Sequence, residues 1–86
     1  MAGLACGEVS LLGWQILSNG ADDFMTLSED MVAPVMQLLA RGYETDPKAE
    51  AGESAVAGLG AAIVASQNPT FAKALGLGPS STVFVI

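Results

Sequence analysis

Apolar residues recur at helical spacing in three stretches, separated by clusters of glycine, proline and acid, and near residue 86 they run consecutively in a β-branched and aromatic stretch. In residues 11–18, LLGWQILS, Leu12 and Ile16 fall four apart, and Leu11, Trp14 and Leu17 fall three apart. That spacing predicts a helix with one broad apolar face, capped by Ser10 and ended at Asn19-Gly20, with the glycine in left-handed backbone. Residues 1–9, MAGLACGEV, read as a loop, and residues 21–27, ADDFMTL, predict a short strand through Phe24, Met25 and Thr26. Ser28 then caps a second helix, with Glu29 and Asp30 in its first turn and Met31, Val35, Leu38 and Leu39 as the buried stripe. Pro34 would lie a turn too deep if Glu29 opened that helix, so the spacing predicts either a kink or a start near Val32. Arg41-Gly42 closes it, and residues 43–50, YETDPKAE, form a polar loop that turns at Asp46-Pro47.

The stretch that organises the rest is residues 51–66, AGESAVAGLGAAIVAS, which has no charge after Glu53 and nothing larger than Leu59 or Ile63. A helix of that composition is apolar on nearly every face and suited to burial. Gly58 and Gly60 each cost about 1 kcal/mol relative to alanine inside a helix, which points to another backbone or a flat ligand coming close to that surface. Asn68-Pro69 stops the run and opens a short helix whose Phe71, Ala74 and Leu75 face inward. The chain then passes through a loop of Gly76, Gly78 and Pro79 into Thr82-Val83-Phe84-Val85-Ile86, read as a fully buried strand. Helices alternating with strands predict the α/β class, with helices packed on a mostly parallel sheet.

Composition sharpens this picture. With 51% hydrophobic residues, 14% charged residues and a mean hydropathy of +0.49, 86 residues read as one segment cut from a larger domain rather than a free-standing one. A net charge of −6, with Arg41, Lys48 and Lys73 scattered, argues against nucleic acid or an anionic membrane as partner, because phosphate binding needs clustered bases. The single Cys6 cannot form an intrachain disulfide, and without histidine no Cys/His metal spacing arises, so a reducing, cytoplasmic setting and no metal are expected. No apolar run reaches the roughly 18 to 20 residues of a membrane span, and the N-terminus lacks the basic and apolar regions of a signal peptide.

Candidate chemistry is sparse. Gly52-Glu53-Ser54 stands at the expected start of the central helix, where backbone N–H groups and the helix dipole can hold an anion or steady a carboxylate. The competing reading is that Glu53 is only a first-turn acid. Cys6 and Glu8 could line a pocket mouth, but a buried thiol and a solvated acid are the preferred reading. Lys48 and Lys73 each lie in a polar or helix-end setting, so neither is read as a Schiff-base lysine, and no nucleophile stands beside a base. No catalytic residue is assigned within these 86 positions.

The segments MAGLACGE at residues 1–8, the Trp14 helix, Ala21-Asp22-Asp23-Phe24, Asp46-Pro47, Gly52-Glu53-Ser54-Ala55 and Leu75-Gly76-Leu77, in that order, resemble the diaminopropionate ammonia-lyase family. That family is part of the tryptophan synthase β-like, fold type II superfamily of pyridoxal 5'-phosphate enzymes. The resemblance runs end to end and implies that residues 1–86 are a C-terminal part of the catalytic domain. The resemblance implies proline where Val9 stands and glycine where Ala55 stands, so the chain departs from the expected pattern at both. For the parent enzyme the resemblance implies elimination of ammonia from 2,3-diaminopropionate, a small amino-acid substrate, giving pyruvate and a second ammonia. It also implies a homodimer, with Gly52, Glu53 and Ser54 beside the cofactor. The Schiff-base lysine and glycine-rich phosphate loop are expected before this segment, and the group that bonds the pyridine nitrogen after it. A threonine or serine dehydratase of the same architecture, or a non-enzymatic interaction module, are the alternatives.

Overall fold

The computed structural model describes residues 5–86. The part of the expected N-terminal loop at residues 1–4 lies outside the described residues. Four helices follow in order: α1 at Leu11–Gly20, α2 at Val32–Arg41, α3 at Ala57–Gln67 and α4 at Pro69–Ala74, with a 3-10 turn at Glu29–Met31 leading into α2.

Local chemistry sets most of these boundaries. Ser10 caps α1, its Oγ accepting from the Gly13 N–H at 3.2 Å, and Asn68 caps α4, its Oδ1 accepting from the N–H groups of Thr70 at 3.0 Å and Phe71 at 3.2 Å. Pro69 occupies the first helical position of α4, where its missing N–H has no intrahelical partner to lose. The same logic settles Pro34. Ser28 caps the 3-10 turn and α2 starts at Val32, so Pro34 lies within the first turn of α2 and needs no kink. Gly42 ends α2 with φ +74° and ψ 157°, a region open almost only to glycine, and a Cβ there would lie 2.9 Å from the Asp46 carbonyl oxygen. In the following loop Glu44 takes φ +52°, the Asp46 N–H donates to the Tyr43 carbonyl at 2.9 Å, and the Ala49 N–H returns to the Leu39 carbonyl at 2.9 Å. The reversal is thus at residues 43–46, just before Asp46-Pro47. Gly20 is the last residue of α1 and does not take the left-handed backbone expected of it; Ala21 leaves the helix extended, its N–H donating to the Leu17 carbonyl.

α3 is the centre. α2 packs on one side of it and α4 on the other. Among the described residues the buried apolar side chains are Val35 of α2, Val56 just before α3 and Ala65 of α3, each 2% exposed. Gly60 of α3 lets Leu27 and Val35 close over it: a Cβ at that position would stand 2.9 Å from Leu27 Cδ2 and 3.7 Å from Val35 Cγ2. Gly58, two residues earlier and so on a different side of the helix, lets Val85 approach, with Val85 Cγ1 only 2.7 Å from the Cβ position. The close approach that the two glycines signalled is therefore made by side chains of the protein itself.

The α/β expectation is not met. Among the described residues there is no strand and no sheet, and about half of the chain is helical. Residues 24–27 and 82–86 do run without helical structure, as their β-branched and aromatic side chains favour, but a strand also needs a neighbour to complete its ladder of N–H and C=O bonds, and neither segment pairs with the other. Residues 82–86 are not buried either: Phe84 is 88% exposed, and only Val85 turns in, onto α3. Likewise Phe71, Ala74 and Leu75 of the α4 region edge a shallow groove instead of filling a core. No helix among the described residues is long and apolar enough to cross a membrane.

Candidate functional site

The Gly52-Glu53-Ser54 segment is a turn that precedes α3, not the first turn of that helix. Its Gly52 carbonyl accepts from the Ala55 N–H at 3.1 Å, and α3 begins only at Ala57. The reason is local. Residues 53–56 form consecutive turns, and Val56, fully buried, enters the helix with φ −89° and ψ −2° and no side-chain cap. Glu53 thus stands outside the first turn, within which a helix dipole acts most strongly on a carboxylate, and α3 has no acid there. Gly52 and Glu53 are exposed and Ser54 is half-buried. A Cβ at Gly52 would meet open space, so glycine there is not demanded by packing.

Among the described residues this turn lines none of four shallow grooves on the surface. The largest, about 570 Å³, runs between Asp23 and Met25 on one side, α3, and Val83 to Ile86 on the other. A smaller cleft of about 260 Å³ lies between residues 23–26 and Phe71, Ala74 and Leu75. The third, about 520 Å³, lies between the end of α2, the Tyr43 loop and α3, and the fourth, about 410 Å³, is edged by Met36, Gln37, Ala40, Glu50 and Ala51. The floor of the largest groove is made by Gly58, Ala61, Ala62 and Ala65. These small residues fall at i, i+3, i+4 and i+7, a spacing legible in the sequence and the signal that marks one face of α3 as a seat for another segment.

Cys6 is exposed, not the buried thiol its composition suggested, and Glu8 is exposed as expected. Lys48 and Lys73 are exposed too, Lys73 in the last turn of α4 and Lys48 with its stem beside Gly42. Pyridoxal phosphate needs an amine to hold its aldehyde and a set of donors to hold its phosphate. The groups on this chain do not fit it as a complete site: the two lysines lie on separate surface elements, and the Gly52-Glu53-Ser54 turn brings a carboxylate and backbone groups but no cation. What the turn can offer is one polar edge, open to whatever lies above it.

Across an alignment of 89 positions that covers the whole chain, it is 38% identical to the diaminopropionate ammonia-lyase of Escherichia coli strain K12. It resembles an ammonia-lyase. The same identity and coverage are found with the diaminopropionate ammonia-lyases of E. coli O6:H1 and O157:H7. The chain spans 22% of the length of these relatives. No protein-family model matches it, and no solved structure matches it.

Proposed function

We propose that this chain is a region of the catalytic domain of a pyridoxal-phosphate-dependent ammonia-lyase, acting in the cytoplasm as a homodimer. The parent enzyme converts 2,3-diaminopropionate and water to pyruvate and two ammonia. The observation that supports this reading is the end-to-end similarity to the E. coli ammonia-lyases, 38% over the full chain. Held by residues of the parent enzyme outside this chain, the cofactor would supply an electron sink for the elimination. This region supplies structure: α3, wedged between α2 and α4, fixes the turn before it, and Gly52, Glu53 and Ser54 form an edge of the cofactor's surroundings in the assembled enzyme.

The test is a chimera in which this chain replaces the 89 matching residues of the E. coli K12 enzyme. The expected outcome is pyruvate and ammonia released in a one-to-two ratio from 2,3-diaminopropionate, with serine and threonine poor substrates. A folded chimera that deaminates serine or threonine in preference would assign the region to a dehydratase instead. A folded chimera without turnover on any of the three would overturn the lyase reading.

A further inference from the structure

α1 buries none of its residues, and Leu12 and Ile16, four apart on one side of it, are 75% and 74% exposed. On another side of α1, Trp14 meets Phe24, with ring centroids 5.9 Å apart and planes inclined at 40°. Met25, next in sequence, walls the 570 Å³ groove whose opposite wall is residues 83–86. There side chains alternate: Val85 turns down onto Gly58, while Phe84 and Ile86 turn out. Exposed apolar side chains therefore stand on α1, at Phe24 and at the end of the chain.

The amount of exposed surface shows that this is more than a few scattered apolar residues. The chain exposes 6969 Å². A self-contained monomer of 8.7 kDa exposes about 4,700 Å². The excess, about 2,200 Å², is well above the roughly 800 Å² that each partner gives to an interface of standard size and matches what obligate partners bury. The shape agrees: the radius of gyration is 14.4 Å, against about 12 Å for a compact domain of this length. A two-fold copy would cover one self-complementary patch. Here the apolar groups are spread over α1, residues 24–25 and residues 83–86 of a molecule 41 × 30 × 20 Å in extent, and the similar ammonia-lyases devote only 22% of their length to this region.

We propose that Leu12, Ile16, Phe24, Phe84 and Ile86 form the face by which this region seats on the remainder of an ammonia-lyase catalytic domain. The proposal rests on the ammonia-lyase reading above, and its test needs no turnover. Amide hydrogen exchange is measured on the isolated chain and on the chimera with the E. coli K12 enzyme. Exchange of α1 and of residues 83–86 should slow by at least 100-fold in the chimera. Leu12→Asp with Ile16→Asp should abolish the slowing at α1 and lower the melting temperature of the chimera, while leaving the helical circular dichroism of the isolated chain unchanged. Equal exchange in the two proteins overturns the proposal even if the chimera turns over substrate; slowed exchange without turnover supports it and counts against the lyase reading alone. An isolated chain that already protects both segments as a defined dimer overturns it in favour of a second copy. Should the chimera be insoluble, the chain is co-expressed with the rest of the E. coli enzyme as a separate polypeptide: co-purification at a one-to-one molar ratio supports the proposal, and its absence overturns it.

Discussion

Gly58 and Gly60 are two residues apart on one helix, yet they answer to different neighbours. At Gly60 the neighbours are the flexible end of Leu27 and the buried Val35. Alanine gains about 1 kcal/mol of helix propensity there and meets only a methyl that can rotate away, so Gly60→Ala should stay within about 1 kcal/mol of the parent sequence. Gly60→Leu has no such room and should cost about 1 to 3 kcal/mol, seen as a lowered denaturation midpoint. At Gly58 the intruder is Val85, held on a segment that has no partner strand and is otherwise exposed. Gly58→Leu should therefore lift residues 83–86 off α3, visible as a loss of amide protection confined to that segment, with a smaller change in overall stability than Gly60→Leu.

Glu53 can be judged at the same scale. A carboxylate exposed in a turn four residues before the helix has little to lose in stability, so Glu53→Gln should change the unfolding free energy by less than about 0.5 kcal/mol. In the chimera the same substitution should lower turnover about tenfold, equivalent to about 1.4 kcal/mol of barrier, if the turn borders the cofactor. Turnover unchanged by Glu53→Gln would take Glu53 out of the site.

Among the elements, α4 depends most on a single side chain. It has six residues, too short to persist on propensity alone, and Asn68 satisfies two of its leading N–H groups. Asn68→Ala should cost about 1 kcal/mol and fray α4, with rapid exchange at Thr70 and Phe71; unchanged exchange there would mean that packing on α3 alone holds the helix. The caps at Ser10, Ser28 and Asn68, the shift of the second helix start to Val32, and the stop at Gly42 were all legible, because each depends on groups within four residues of one another. The sheet was misread because pairing is a property of two segments, and residues 24–27 and 82–86 show the side chains of strands without the neighbour. The start of α3 was misread for a related reason: Val56 is held where it is by burial in the core, which local composition does not report. In the candidate site the setting was misread: Glu53 was placed in a helical first turn, and that helix begins four residues later.

At the scale of the whole molecule, two opposing properties set its behaviour in solution. Exposed apolar side chains stand on α1, at Phe24 and at the end of the chain, and a net charge of −6 keeps copies of the chain apart at neutral pH. The repulsion weakens in two ways. Lowering the pH toward the isoelectric point, about 4.1 from the sequence, protonates carboxylates and removes the net charge, while raising the salt shortens the screening length from about 8 Å at physiological strength to about 3 Å at 1 M. Both changes leave the apolar groups as they were. The isolated chain should therefore remain dispersed at pH 7.5 in low salt and associate as the pH falls from 6 to 4, with light scattering rising most steeply near pH 4. Salt alone at pH 7.5 should produce a weaker rise. Leu12→Asp with Ile16→Asp removes two of the most exposed apolar side chains and adds two acids, so it should move the onset to lower pH and reduce the salt effect. A chain that stays monodisperse through pH 4.1, with a sharp cooperative melt, would show that the exposed surface is not adhesive and would remove the physical reason for a covering partner.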